Sequence, residues 1–422
     1  MKLFSRGRNR ENERGQIVVL LAVSLTLVLL FLAFAIDVGF AYATKAKLSK
    51  SVDAACLTAM RNLAQGQAKA GALAVNSFNG NYKLSALDAN APTVNVSFST
   101  DAFGNTLVNV SATATIRTFF MRLLPQFQTF SVSDNAQATR GKLVMTLVLD
   151  RSGSETSDGG STAIPPAVTS FVNDFSNSTD EVAMVSFASN ATVDVAINYN
   201  FITPITNAVK AISWGGGTFG PGGLTDAKAQ NDSIVAQPGQ NVVKVVVYFT
   251  DGYVNVIQDT FACTSKWGNT LYNYGGYDSG TQADFFNPSS GTDWGTLDGN
   301  GNPPHSPTPD CTGVTKFTSQ IDGTQKSFTR ANVTADAQYR ALQTANAMRA
   351  EGMYVYSVGL GTGLAQSFLQ QIANDPASST YNPNQPAGLA VFAPNCPSSQ
   401  CTSELQQVFQ TIAAKILLRL TQ

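Results

Sequence analysis

Three oxygen-bearing side chains follow a predicted buried strand in the segment KLVMTLVLDRSGS. The segment runs from Lys142 to Ser154, and its apolar stretch ends at Asp150, with hydroxyls at Ser152 and Ser154. Apolar runs of this length, rich in Val and Leu, favour a strand buried on both faces of a parallel sheet. The carboxyl ends of such strands form the ligand-binding edge of open α/β sheets. Because hard cations take oxygen ligands, the pattern indicates a divalent metal site.

Two further segments strengthen this interpretation, because Asp, Ser and Gly alone also occur in ordinary loops. The stretch VVKVVVYFTDG, from Val242 to Gly252, is a second predicted buried strand, and Asp251 stands at its equivalent end. Between the two strands, the glycine-rich segment GGGTFGPGGLTDA carries Thr218 and leads into a helix-like stretch. The order of these pieces favours one shared site over unrelated loops.

This order, D-x-S-x-S, then Thr, then strand-Asp-Gly, resembles the metal-ion-dependent adhesion site of von Willebrand factor A domains. The resemblance covers the chain from Lys142 to its C-terminus. In that family, hydroxyls and carboxylates surround a Mg²⁺, some of them through water. The resemblance therefore implies Mg²⁺, with Mn²⁺ as the alternative, and it implies a ligand set of Asp150, Ser152, Ser154, Thr218 and Asp251.

The residue types of this set predict a binding site and no enzyme. Mg²⁺ requires near-octahedral oxygen coordination and gives up water reluctantly. With two carboxylates and three neutral hydroxyls, the ion keeps positive character, so a carboxylate from a protein ligand could become the last ligand. The chain has one histidine, and it contains neither H-E-x-x-H nor a P-loop nor the residues of a catalytic triad.

The remainder of 141–422 alternates between strand-like and helix-like segments. We predict strands at 181–187, 192–197 and 353–360, and helices at 163–175, 205–212, 224–235, 335–350, 365–374 and 403–420. Pro165 and Pro166 are expected in the opening turn of the first of these helices. Such alternation implies an α/β fold with a doubly wound, mainly parallel sheet, in agreement with the family resemblance.

A long segment, about 253–330, separates the Asp251 strand from the next predicted helix. Loops of this length are usually functional or disordered. Because this one is rich in aromatic residues, which disordered segments lack, we predict a partly ordered insertion. It leaves the strand beside Asp251, so we expect it over or near the metal. The alternative is a spacer with its own small hydrophobic cluster.

The N-terminus predicts a membrane anchor. Residues 17–36 carry no charge and are numerous enough to span a bilayer. Residues 1–16 are basic, and this bias predicts a cytoplasmic N-terminus with the bulk of the chain outside. A cleaved secretory signal is the rival interpretation, but it would normally have a shorter apolar region and a small-residue cleavage site. We therefore expect a single-pass protein of the bacterial inner membrane, with a periplasmic or extracytoplasmic bulk.

Residues 13–59 resemble the N-terminal segment of Tad/Flp pilus-assembly proteins of the TadE/TadG type. The match consists of Arg14–Gly15–Gln16 before the apolar run, Asp37–Val38–Gly39 after it, and Asp53–Ala54–Ala55. It implies other pilus-assembly components as partners. Type IV pilins carry a Glu five residues after a comparable cleavage glycine. Leu20 occupies that position here, which leaves processing at Gly15 open.

Residues 37–140 are predicted to form a juxtamembrane helix and a small β module that together resemble a pilin. The helix is indicated by apolar residues at helical spacing, namely Leu48, Val52, Ala55, Ala59 and Leu63. Three strand-like segments follow at 94–98, 107–116 and 130–138 and predict a small antiparallel sheet. A short helical piece is expected among them, at 118–124.

Composition and cysteine usage fit an extracytoplasmic protein. Charged residues make up 13% of the chain against a typical quarter, and the net charge of −1 gives no electrostatic case for nucleic acid. Cys263 and Cys311 bracket the insertion, and Cys396 and Cys401 bracket a short loop. These are the natural disulfide pairs in an oxidising compartment, although spacing does not fix connectivity. Cys56 is left over and is expected to pack as a small apolar residue.

Together these features predict a membrane-anchored component of Tad/Flp-type pilus assembly. Its A domain would bind a protein partner through a divalent metal. One alternative is a surface-displayed, metal-dependent adhesin whose insertion contacts the ligand. A third hypothesis is a non-catalytic subunit of a metal-inserting or ATP-driven machine. It is less favoured because the chain carries no nucleotide-binding motif.

Overall fold

The computed structural model describes residues 11–265, 270–280, 284–286, 293–296, 311–312, 314, 316–361 and 365–420. The chain divides into two compact units. The first comprises Met1–Ser99 and Leu107–Thr139, and the second comprises Thr100–Thr106 and Arg140–Gln422.

A long helix and a three-stranded sheet make up the first unit. Its elements are α1 (Glu11–Arg61), α2 (Gln67–Asn81), β1 (Thr93–Thr100), β2 (Thr106–Arg117) and β3 (Thr129–Arg140). The sheet order is β1-β2-β3. Three short 3₁₀ turns connect these elements, at Leu63–Gln65, Met121–Leu123 and Pro125–Phe127. The short helical piece predicted at 118–124 is present as the 3₁₀ turn Met121–Leu123, and Pro125 begins a second such turn.

The core of the first unit lies between the distal half of α1, α2 and the sheet. The residues predicted to recur on one face of α1, including Leu48, Val52 and Ala55, are buried as expected. They pack against Phe78 of α2 and against β2. Cys56 is also buried in this core, which confirms its predicted packing role.

The second unit alternates strands and helices. Its strands are β4 (Lys142–Asp150), β5 (Glu181–Phe187), β6 (Ala191–Asn198), β7 (Val242–Thr250), β8 (Val256–Ser265), β9 (Thr270–Asp278), β10 (Asp284–Phe286), β11 (Asp293–Thr296), β12 (Cys311–Thr312), β13 (Lys316–Thr318), β14 (Gln325–Ser327), β15 (Tyr354–Leu360) and β16 (Ala390–Ala393). Its helices are α3 (Ser154–Ser157), α4 (Gly160–Val172), α5 (Ile202–Lys210), α6 (Gly220–Asp232), α7 (Arg330–Ala350), α8 (Gln366–Ala373) and α9 (Cys401–Arg419).

Six of these strands form the central sheet, in the order β16-β15-β7-β4-β5-β6. All neighbours pair in parallel except β5 and β6, which pair antiparallel. The predicted doubly wound, mainly parallel sheet is therefore confirmed. The strand order reverses between β4 and β7, and the carboxyl ends of strands at such a reversal form a crevice where α/β proteins bind ligands.

Both faces of the sheet are covered. Alternate residues of β4, such as Leu147 and Leu149, face a core shared with α4, α5 and α9. Val148 faces the opposite core, which is shared with α6, α7 and α8. This two-sided burial explains why β4 and β7 are nearly continuous apolar runs.

One helix begins earlier than the prolines suggest. The prediction that Pro165 and Pro166 lie in the opening turn is wrong, because α4 begins at Gly160 and holds both prolines in its interior. Gly159 precedes the helix with a φ of 82°, a left-handed conformation that glycine adopts without strain. The chain therefore turns into the helix one turn before the prolines.

The insertion after β7 contains a second sheet, of order β11-β10-β9-β8-β12. Its apolar side chains, including Phe261, Tyr277 and Phe285, pack with Phe328 and belong to the core beside α7. Arg340 of α7 also holds the insertion, because it donates hydrogen bonds to the Gln258 carbonyl and the Asp259 carboxylate, at 3.1 and 2.7 Å.

Cys396 and Cys401 form a disulfide, as predicted. The side chains of Cys263 and Cys311 lie outside the described part of the structure, so their pairing stays a prediction. Their backbones lie in β8 and β12, which are neighbouring antiparallel strands.

Candidate metal centre

Asp150 is the fixed point of the site, at the carboxyl end of β4 and fully buried. Its Oδ1 accepts a hydrogen bond from the Ser152 backbone N–H at 2.8 Å. Its Oδ2 accepts one from the Thr250 hydroxyl, which comes from the end of β7, at 2.5 Å. These two bonds orient the carboxylate and join the ends of two adjacent parallel strands.

Ser152 and Ser154 lie in the turn that follows this strand. Ser152 Oγ and Ser154 Oγ lie 3.2 Å apart. Between them, the Gly153 N–H donates to the carbonyl of Gly216 at 3.1 Å. Asp150, the first residue of the motif, accepts the hydrogen bond from Thr250 at the end of β7. The D-x-S-x-S turn therefore contacts both the glycine-rich loop and the end of β7.

The glycine-rich loop presents Thr218, and the insertion fixes its position. The Thr218 N–H donates to Asn255 Oδ1 at 2.7 Å, and the Asn255 N–H donates back to the Thr218 carbonyl at 3.1 Å. Gly217 is required by space as well, since a Cβ there would overlap the Asp278 carboxylate and Val256. The first residues of the insertion thus buttress the loop.

The structure brings all five predicted residues to one crevice. Ser154, Thr218 and Asp251 line the same cavity of about 540 Å³. Asp150 and Ser152 lie buried behind them and are bonded to the same turn. The insertion borders the cavity through Tyr253, Asn255, Asp278 and Gly280.

A sixth group, Glu155, was not anticipated from the sequence. Carboxylate oxygens of Asp150, Glu155 and Asp251 all lie within 4.8 Å of one another. Glu155 is fully buried at the first turn of α3, and neither of its oxygens has a hydrogen-bond partner among the described residues. Gly160 leaves room for it, because a Cβ at that position would overlap the Glu155 carboxylate. The available signal was an acidic residue directly after D-x-S-x-S.

Burial raises the pKa of each of these carboxyls, and neighbouring negative charges add to the effect. Desolvation, and then the charge of Asp251, raise the pKa of Asp150 to about 7. Desolvation raises the pKa of Asp251 to about 6, with Asp158 adding to the effect. The pKa of Glu155 is raised well above its usual value by burial and by both aspartates. Since a buried carboxylate is costly without a compensating charge, the geometry favours a cation.

The donor set fits a hard divalent cation. Every donor is a carboxylate or hydroxyl oxygen, which is what Mg²⁺ and Mn²⁺ prefer. Asp251 Oδ2 is buried and lacks a hydrogen-bond partner within the described structure. An orphaned, buried carboxylate oxygen at the wall of a cavity is a position that a cation would satisfy.

Two family models match separate parts of this chain. Residues 15–62 match a model described as putative Flp pilus-assembly TadE/G-like. Residues 145–278 match the von Willebrand factor type A domain. The chain joins a TadE/G-like segment to a von Willebrand factor type A domain. Both predicted resemblances are therefore confirmed, and we call the second compact unit the A domain. No curated protein matches the chain.

Similar solved structures come from several sources. Proximal thread matrix protein 1 from the mussel byssus is 16% identical, with a TM-score of 0.36 and coverage of 66% of this chain and 46% of that one. The pilus adhesin SpaC from Lactobacillus rhamnosus GG is 13% identical, with a TM-score of 0.42 and coverage of 78% and 34%. The von Willebrand factor domain of a type V pili tip protein from Porphyromonas gingivalis is 13% identical, with a TM-score of 0.40 and coverage of 68% and 98%.

This chain thus spans less than half of the first two proteins. All three TM-scores are 0.42 or lower, so the assignment of the two parts rests on the family models.

The TadE/G-like match, residues 15–62, covers nearly all of α1, including its apolar part. Within the described residues, this is the one helix whose length and composition would allow it to cross a membrane. Its apolar side chains between Ile17 and Ile36 are largely exposed, as expected for a surface that faces lipid.

Proposed function

We propose that this protein is a membrane-anchored, extracytoplasmic component of a Tad/Flp-type pilus assembly system. Its A domain binds a protein partner through a divalent cation held by Asp150, Ser152, Ser154, Thr218 and Asp251. The two family matches support the setting. The observation that carries the binding role is the buried Asp251 Oδ2, which lacks a partner among the described residues and faces Asp150 and Glu155.

The side chains of the site have different roles in binding a cation. Asp150 is held by Ser152 and Thr250 and cannot rotate away without losing two hydrogen bonds. Ser154, Thr218 and Asp251 line the cavity through which a ligand would approach the cation. When bound, a cation such as Mg²⁺ supplies a Lewis-acidic position that an oxygen from outside the domain can fill.

Glu155 sets the charge of this site. Burial, and then the charges of Asp251 and Asp150, raise the pKa of Glu155 well above its usual value and so favour its neutral form. A bound divalent ion would then meet two ionised carboxylates, because its charge favours the ionised forms of Asp150 and Asp251. This charge balance leaves room for one more carboxylate, supplied by a protein partner, whereas a third ionised group inside the domain would repel it.

The partner-binding role is tested by affinity capture from solubilised membranes. The full chain is used as bait, with Mg²⁺ or with a chelator. We expect pilus-assembly components to be retained only with Mg²⁺ and to be lost with Asp251→Asn. Asp158→Asn is the matched control, since Asp158 borders the same cavity but is only partly buried. Retention of the same partners in chelator would contradict the proposal.

A surface-displayed adhesin is the second candidate function. It is favoured by Tyr253, which is 53% exposed at the rim of the cavity, directly after the Asp251 strand. An aromatic side chain at this place suits contact with an external ligand. Protease treatment of intact cells distinguishes the two roles, because only an adhesin exposes the A domain on the cell surface.

A further inference from the structure

The chain 118–128, which follows β2, forms a small closed loop with an apolar surface. Thr118 is buried and closes it, because its hydroxyl donates to the carbonyl of Phe127 at 2.7 Å and its N–H donates to that of Gln128 at 3.1 Å. Between these ends the chain makes the two 3₁₀ turns Met121–Leu123 and Pro125–Phe127. We call residues 118–128 the apolar loop.

Asp37 of α1 fixes the apolar loop at a defined height. This aspartate is buried, and its carboxylate accepts hydrogen bonds from the backbone N–H groups of Phe119, Phe120 and Met121. The distances from Phe119 and Met121 are both 2.7 Å. A carboxylate that receives the first N–H groups of a helical turn is stabilised by their charge and alignment. The loop is therefore attached to one point of α1.

That point is where the apolar stretch of α1 ends. At 1.5 Å per residue, the helix rises about 30 Å from Ile17 to Asp37, which equals the usual thickness of the hydrocarbon core of a bilayer. With α1 spanning the bilayer as proposed above, Asp37 lies at one boundary of the hydrocarbon layer. The apolar loop, bonded to Asp37, lies at the same boundary.

The loop presents large apolar side chains outward at this height. Leu123 is 84% exposed, the highest value for any large apolar side chain in the described structure. Further exposed residues of the loop are Phe119, Phe120, Leu124 and Phe127. Phe40 and Tyr42 of α1 are also exposed, close to Asp37 in sequence. Tyr concentrates at membrane–water interfaces, and segments that lie in the interface bury Phe and Leu at the boundary of the acyl layer.

Arg122 completes the pattern. It is exposed within the loop, and its guanidinium lies 5.7 Å from the centre of the Phe119 ring. An arginine beside apolar side chains suits the headgroup layer, where its charge meets lipid phosphate while its neighbours enter the acyl layer. This mixture favours a lipid surface over a purely apolar protein groove.

We propose that the apolar loop inserts into the outer leaflet of the membrane that α1 spans, as a second contact beside the helix. The proposal rests on the membrane anchoring proposed above. In this arrangement Asp37 is a positioning residue, because it holds the loop at the depth where Leu123 and its neighbours meet lipid. The first unit would then stand on the membrane through two contacts, which restricts its tilt.

The test places a fluorescent thiol label at Leu123→Cys in the full chain, reconstituted in phosphatidylcholine and phosphatidylglycerol vesicles. Wild-type protein treated with the same reagent gives the background. We expect strong loss of fluorescence with nitroxide-labelled lipid and weak loss with aqueous iodide. The matched control is Ser111→Cys, an exposed position on β2 about 20 Å along the strand from Arg117, where iodide should quench more strongly.

A label at Val28→Cys, in the middle of the apolar stretch, separates the two proposals. If Val28 is sheltered from iodide while Leu123 is quenched by iodide as strongly as Ser111, the anchor stands and the loop proposal is wrong. Shelter of Leu123 from both quenchers would mean that protein covers the loop, which also overturns it. Iodide quenching at Val28 would overturn the anchoring and the loop proposal together.

Discussion

Replacement of Asp251 by Asn should stabilise the metal-free A domain at neutral pH. The reason is electrostatic: without a cation, the Asp251 carboxylate carries its charge in a buried position, and the charge of Asp158 adds to the cost. Asparagine keeps the size of the side chain and removes its charge. Most substitutions of a buried residue destabilise a protein. An increase in stability would therefore identify this carboxylate as a buried charge that lacks a compensating cation.

The size of the effect follows from the pKa of Asp251, which is about 6 in the folded protein and about 3.9 in an unfolded chain. Between these values the folded state binds more protons than the unfolded state, so the free energy of unfolding falls as the pH rises. A difference of about two pH units at 1.36 kcal/mol per unit is about 3 kcal/mol. This cost is absent below about pH 4 and complete above about pH 7.

Thermal unfolding in a chelator, at pH 4 and at pH 7.5, measures the effect. Asp251→Asn should raise the midpoint at pH 7.5 by roughly 2–4 °C per kcal/mol and leave it unchanged at pH 4. Added Mg²⁺ should stabilise the wild type and leave the variant unaffected. Asp158→Asn, the control at the rim of the cavity, should raise the midpoint at pH 7.5 by less, because the charge of Asp158 only adds to the effect of burial on Asp251, and it should keep the response to Mg²⁺. If Asp251→Asn lowers stability at pH 7.5, or changes it equally at both pH values, the electrostatic reasoning is refuted.

Three further predictions concern other parts of the A domain. Glu155→Gln should leave the Mg²⁺ affinity close to that of the wild type, because glutamine resembles the protonated form of the acid. If calorimetry shows a loss of affinity as large as that of Asp251→Asn, Glu155 binds the cation as a carboxylate. Arg140→Ala should lower the free energy of unfolding, measured in urea, by about 3–5 kcal/mol. The reason is that Arg140 is buried and forms a bidentate ion pair with Asp180, with both distances at 2.7 Å. A decrease of about 1 kcal/mol or less, typical of surface ion pairs, would contradict this prediction. Replacement of Cys396 and Cys401 by serine should lower the free energy of unfolding by about 2 kcal/mol, as expected from the short loop that their disulfide closes. If a reductant leaves the unfolding midpoint of the wild type unchanged, this prediction is wrong.

The strand ends of the site could be predicted from sequence because parallel strands have a strong signature. The runs that end at Asp150 and Asp251 are apolar on both faces, and the sheet indeed buries them on both faces. The role of Thr218 as a site residue could be predicted only from the family resemblance. Its position depends on Asn255, which lies in the insertion and is far from it in sequence.

Glu155 could not be found by periodicity, because it lies in a helix of only four residues, Ser154–Ser157. Its burial depends on the missing side chain of Gly160, which is a tertiary effect. The helix α2 was missed for a related reason. Its buried face consists of Ala70, Ala74 and Phe78, whereas Leu73 and Val75 lie off this face, so the apolar residues give no clear helical period.

The strands of the insertion also escaped prediction. They contain glycines such as Gly275 and Gly276, which interrupt alternation and weaken strand propensity. Gly276 is needed there, because a Cβ would overlap the ring of Phe286. The aromatic content did indicate order, and the packing of Tyr277 and Phe285 bears this out.

The central claim is that the A domain holds a divalent cation through Asp150 and Asp251, and one calorimetric titration tests it most directly. Mg²⁺ is titrated at pH 7.5 into chelator-treated full-length protein, and into Asp150→Asn and Asp251→Asn. The wild type should show saturable binding of one ion per chain, and both variants should show none. Equal Mg²⁺ affinity in the wild type and the two variants would contradict the claim.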